Sequence, residues 1–103
     1  MHFIALFFVG ALLCNSVPHL VAGLQGKPFP TPFAKPHGVG DSSSLVNFGW
    51  GFLNLIVGIG MLLRNPLLPD FNANLIGLLA GSLVMGLYAS LHFGKVQRDK
   101  MGS

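Results

Sequence analysis

Three long stretches of the chain carry no charged residue: Met1 to Gly26, Ser42 to Leu63 and Phe71 to Gly94. Each reaches or exceeds the roughly 20 residues an α-helix needs to cross about 30 Å of hydrocarbon. The pattern predicts three transmembrane helices, over about residues 2–24, 43–63 and 71–94, with a loop over 25–42. The short link Arg64-Asn-Pro-Leu-Leu-Pro-Asp70 reads as a turn, which makes the second and third helices an antiparallel hairpin. The expected fold class is an all-α membrane protein: three transmembrane helices in a small bundle, with a proline-rich connector after the first. Residues 1–103 form a single integral membrane domain in this reading.

Within the spans the polar and small residues are patterned. In the second helix Ser44, Asn47, Gly51, Asn54 and Gly58 recur at steps of three and four, so they share one face. Asn15 and His19 share a face of the first helix, and Tyr88 and His92 one of the third. With three helices, all of these except Asn54 and Gly58 fall at the same end of the bundle. The third helix holds a GxxxG, Gly77 and Gly81, and a ladder of Ser82, Gly86, Ser90 and Gly94. Small residues let membrane helices approach closely, where lipid supplies no hydrophobic drive. The ladder is expected to pack within the chain, with homo-oligomerisation as the other use.

The connector holds Pro28, Pro30, Pro32 and Pro36, which disfavour helix and central strand, so it is expected to be extended and stiff. Its prolines are never three apart, so the PxxP spacing of ligands for aromatic grooves is missing. Phe29 and Phe33, beside Lys27 and Lys35, are expected in the headgroup zone. Asp41-Ser42-Ser43-Ser44 supplies N-caps for the second helix, and Asp70 one for the third. Trp50 and Tyr88 suit the interfacial belt. Pro18 predicts a kink near Cys14.

Composition sharpens the class. About half of the 103 residues are apolar and only 9% are charged, too few for a soluble surface. The basic residues flank the spans and make no continuous patch, which excludes a nucleic-acid partner and leaves the lipid bilayer as the main one. Five of the six lie in the first loop or the C-terminal tail, so the positive-inside rule puts the N-terminus outside and the C-terminus in the cytoplasm. Phe3 to Leu13 has the length of a signal-peptide core, but no basic residue precedes it, and its removal would part the two basic regions; the first helix is expected to be retained. Cys14 is the lone cysteine and packs as a small apolar group.

Candidate chemistry is sparse. No Asp, Glu, Lys or Arg lies within a span, so the carboxylate of proton-coupled transport is missing. No Ser/His/acid set or carboxylate pair suggests catalysis, and Gly38-Val-Gly40 lacks the rest of a dinucleotide fingerprint. His19 and His92 come to one membrane surface from two helices, but two lone histidines do not make a haem or metal site, and no cofactor is expected. His2 and His37 read as solvated or interfacial. The candidate site is therefore the polar cluster Asn15, His19, Asn47, Asn54, Tyr88 and His92. It either ties the helices together or lines a polar cavity, lidded by the proline-rich loop, with His19 as its titratable member.

Val17-Pro18-His19, Gly26-Lys27-Pro28-Phe29, Pro32-Phe33-Ala34-Lys35-Pro36, Gly38, Gly40, Asn47 and Trp50-Gly51 together resemble a family of short, uncharacterised bacterial multi-pass membrane proteins. The likeness covers about the first 60 residues and implies a bacterial inner-membrane location, without an activity. The expected function is that of a non-enzymatic interaction or accessory subunit, in a homo-oligomer or with a larger membrane partner. The alternative is an oligomeric channel or carrier around the Asn/His cavity.

Overall fold

The computed structural model describes residues 2–65 and 73–102. Three helices, α1 (His2–Leu24), α2 (Ser44–Arg64) and α3 (Ala73–Gly102), are each long and apolar enough to cross a membrane. The chain is an all-α membrane protein, and its outward faces carry exposed large apolar residues such as Ile4, Phe8, Phe52, Ile56, Leu83 and Leu87. Lipid, not water, is the solvent for such a surface.

Local sequence sets the helix ends near the loop. Gly26, at φ +70, closes α1: its N–H donates to Gly23 O at 3.2 Å, and the Lys27 N–H donates to Ala22 O at 2.8 Å. That pair of bonds satisfies carbonyls that a helix end leaves open, and the left-handed backbone suits glycine. Among the candidate caps of α2 it is Ser43 that acts, its Oγ accepting the Val46 N–H at 3.2 Å. Asp41 has another task, described below. The expected Asp70 cap and most of the turn before it lie outside the described residues.

α1 is the centre of the bundle. It runs unbroken through Pro18, packs on α2 along one side and on α3 along another, while α2 and α3 share no comparable seam. α2 and α3 are antiparallel to each other, as expected, but among the described residues they do not pack as a hairpin, because α1 holds the surfaces that fit both. Against α2 the approach is antiparallel, Gly58 lying on Leu13, Gly51 on Ser16 and Leu20, and Gly23 on Phe48. Against α3 it is parallel, with Gly77 on Phe3, Gly81 on Phe7, Gly10 on Leu78 and Ser82, and Gly86 beside Cys14. Ser82 Oγ also donates to Gly10 O at 3.2 Å. The upper part of the ladder is therefore used inside the chain. Ser90 is exposed, and Gly94 faces the side chain of Arg98 in its own helix.

α3 does not stop at Gly94. Its 30 residues span about 45 Å at 1.5 Å per residue, half as long again as the hydrocarbon layer. The charges at Lys95, Arg98, Asp99 and Lys100 end the apolar run but not the helix, because lysine and arginine are good helix formers and Val96 stays buried.

The loop is folded rather than extended. Phe29–Pro30 (β1) pairs antiparallel with Asp41–Ser42 (β2), Phe29 opposite Ser42 and Pro30 opposite Asp41. Between them Thr31 and Ser42 join hydroxyls at 2.5 Å, and both are buried. Phe33 is 61% exposed, as expected of a headgroup residue, but Phe29 turns inward against Phe93, with ring centres 4.8 Å apart. Two bonds fasten the loop to α3: His92 Nε2 donates to Gly38 O at 2.8 Å, and Lys100 Nζ donates to Asp41 Oδ1 at 2.7 Å. The loop and the C-terminal part of α3 thus lie at one end of the molecule. The five basic residues of these two segments lie there too.

Candidate functional site

Beneath the loop, the three helices and the folded connector line a half-open cavity of about 340 Å³. α1 contributes Asn15 and His19, α2 Trp50, α3 Met85, Tyr88, His92 and Phe93, and the loop Pro30, Thr31, Pro32, His37 and Gly38. A volume of this size lies at the lower end of the range for small-molecule sites.

The six sequence-predicted residues divide between lining and support. Asn15, His19, Tyr88 and His92 face the cavity. Asn47 does not: it is 0% exposed and sits behind His19. Its amide nitrogen donates to Phe29 O at 2.9 Å, Ser43 O at 3.0 Å and Ser42 O at 3.2 Å, which ties the loop to the start of α2. Asn54, also buried, donates to Trp50 O at 2.8 Å and accepts the amide of Asn15 at 3.2 Å, and it borders a separate recess with Leu12, Leu53 and Val57.

These bonds fix which way each group points. Three carbonyls around one end of the Asn47 side chain identify that end as nitrogen, so its oxygen faces His19. His19 Nδ1–H therefore donates to Asn47 Oδ1, at 2.8 Å. The other ring nitrogen, Nε2, carries the lone pair. No side-chain nitrogen or oxygen among the described residues is sealed off without a partner. Nε2 has no partner in the protein and is therefore accessible, on a residue that is 2% exposed and lines the cavity. The same logic applies to the other two imidazoles. His37 Nδ1–H donates to Pro32 O at 2.6 Å and His92 Nε2–H to Gly38 O at 2.8 Å, so each neutral ring keeps one lone pair. Asn15 gives one amide N–H to Asn54, which leaves its second N–H and its carbonyl oxygen.

Aromatic rings line and back the cavity, Phe29 and Phe33 from behind its wall. Tyr88 stacks on His92 with ring centres 5.6 Å apart and planes at 3°, Phe33 meets Trp50 edge-on at 5.0 Å, and Phe29 stands edge-on to His19 at 5.5 Å. Among the described residues no set of three metal-ligating side chains converges.

The sequence points to the loop as a lid but does not single out the residues it adds to this wall. His37, expected to be solvated or interfacial, is exposed and also borders the cavity. Thr31, 1% exposed, gave no signal at all, because its burial depends on the β1–β2 bridge and on Phe29 turning inward. The connector's glycines were the available hint: Gly38 has φ +75, and a Cβ there would sit 3.1 Å from His92 Nε2.

The bond between Lys100 and Asp41 closes the lid over a long lever. Both side chains are about one third exposed, 32% and 39%, so the pair is worth less than about 1 kcal/mol. We expect Lys100→Ala to leave the melting temperature nearly unchanged while raising amide hydrogen exchange across residues 36–42 several-fold; unchanged exchange there would mean that His92 alone secures the loop.

Comparison with protein-family models, with curated proteins and with solved structures finds no match to this chain.

Proposed function

We propose that the protein is a non-enzymatic accessory protein of a bacterial inner membrane, and that the loop-covered cavity is its ligand site. The observation that carries this reading is His19: a residue 2% exposed, its ring oriented by Asn47, whose Nε2 has no protein partner and stays accessible on the wall of a cavity large enough for a small molecule. An acceptor held in one orientation on a cavity wall is preorganised for the hydrogen bond of an incoming molecule. Binding is better supported than conduction, because beyond Asn15 the helices close on each other through Leu13, Gly58, Gly10 and Leu78. The bacterial location rests on the resemblance of the His19 and loop motifs.

Native mass spectrometry of the chain released from its own membrane tests the ligand site. We expect a bound small molecule that Met85→Trp, which fills the cavity, no longer carries; a bare chain in both cases ends the proposal.

For orientation we propose the N-terminus outside and the C-terminus in the cytoplasm, supported by the basic residues gathered at the loop end. Single cysteines in a Cys14→Ser background check it. Lys35 is exposed, unlike the buried Thr31, and is the loop reporter of choice. A membrane-impermeant maleimide applied to intact cells should label a cysteine at position 67, in the link between α2 and α3, and spare one at position 35. The reverse pattern inverts the topology.

A further inference from the structure

A second recess, sharing no lining residue with the cavity, is a groove of about 370 Å³ between the end of α1 and the C-terminal part of α3. It forms because α1 stops at Leu24 and turns through Gly26, while α3 runs on to Gly102 and brings Gln97 to the turn. Along α1 the lining passes from apolar, at Pro18, Val21 and Ala22, to polar, at Gln25 and Lys27. The change falls where the uncharged span ends, and it follows a lipid molecule from acyl chain to headgroup.

The polar end of the groove is unspent. Among the described residues the side chains of Gln25, Lys27 and Gln97 make no hydrogen bond or ion pair within the protein. An ammonium has three donors, and an amide that nothing holds can turn its N–H groups toward an anion. No carboxylate is in the lining: Asp41 is held by Lys100, and Asp99 borders a different recess, with Val39 and Lys95. Lys27 is thus the one charge among the described residues that line the groove, and a single positive charge matches a single negative one. The C-terminal end of α1 opposes an anion. Its Val21, Ala22 and Gly23 carbonyls, however, already accept the N–H groups of Gln25, Lys27 and Gly26, so the ammonium decides the sign.

We propose that this groove binds the phosphodiester of an anionic phospholipid. Lys27 and the two amides take the phosphate and glycerol oxygens, and the start of an acyl chain lies against Val21 and Pro18. A choline beside the phosphate fits less well, because Lys35, Lys95 and Arg98 stand at the same end of the molecule and repel its charge. The groove is separate from the cavity, and its ligand does not rest on the cavity's.

Native mass spectrometry of the full chain in neutral detergent micelles tests this, with phosphatidylglycerol, phosphatidylcholine, a fatty acid of matched chain and glycerol phosphate as probes. We expect one phosphatidylglycerol to be retained about fivefold more tightly than phosphatidylcholine, as one lysine at a membrane surface supplies. Lys27 is exposed, so Lys27→Gln should keep the fold and bring the two lipids level. Lys95→Gln, an exposed lysine at the same end but outside the groove, should leave the preference within about twofold, because a charge out of contact is screened. Equal losses from the two variants overturn the site in favour of a diffuse positive surface. Met85→Trp should leave the preference intact; its loss there places the headgroup in the cavity and overturns the groove. Tighter binding of the fatty acid, or equal binding of glycerol phosphate, overturns the phospholipid, and so does equal binding of the two lipids by the unaltered chain.

Discussion

Replacement of Asn47 by leucine should destabilise the protein more than any other single polar substitution, on the order of 3 kcal/mol, and should release the loop. Leucine is close in volume, so little is lost in packing. What is lost is a junction: Asn47 answers the carbonyls of Phe29, Ser42 and Ser43 and receives the N–H of His19. Each buried group left unpaired costs about 1–3 kcal/mol, and groups sharing one partner do not add in full. The effect is checked by reversible unfolding in detergent micelles, together with protease cleavage in residues 28–41. A loss below about 1 kcal/mol with an intact loop would show that water replaces the amide there.

The second large effect is expected at Gly81. A Cβ at this position would meet the carbonyl oxygen of Phe7, and the backbone around it, far inside van der Waals contact. Backbone cannot step aside as a flexible side chain can, so Gly81→Leu should force α1 and α3 apart. We expect a cost of about 3 kcal/mol or more, and poor accumulation in membranes. Gly86→Ala is the internal control. Its added methyl would meet only Cys14 Sγ, at 3.6 Å, an ordinary contact, and stability should hold within about 0.5 kcal/mol. Equal damage from the two would mean that the ladder packs against something other than α1.

Both positions were visible in the sequence as members of a pattern. The steps of three and four that join Asn47, Gly51, Asn54 and Gly58 place them on one face, and in the structure these are the buried residues of α2. Gly77 and Gly81 likewise announce a close-packed face of α3. The pattern names a face but not its partner. Nothing in Gly81 says that α1, parallel and distant in the chain, will meet it rather than α2, its neighbour in sequence. The loop was harder still. Four prolines argue against regular structure locally, whereas the bridge of Phe29 to Ser42 is supported from outside the segment, by Asn47, His92 and Lys100. Charge misled in the same way at the end of α3, where Lys95 marks the limit of the apolar run and not of the helix. The polar cluster could be listed from sequence, but its division into lining and supporting residues depends on which amide faces which carbonyl.

The central place of α1 also has a consequence for the order of assembly. Its polar contacts with α2 close over 28 and 39 residues of chain, those with α3 over 72. During synthesis the first two helices complete their own pairing, Asn15 to Asn54 and His19 to Asn47, before the third exists, so none of the three asparagines waits unpaired in lipid. α3 then arrives at a hairpin that is already internally satisfied and docks largely through shape, small residues against the Phe3, Phe7 and Gly10 edge. Its long C-terminal end arrives last of all, so the loop is pinned by Lys100 only after everything beneath it has been built.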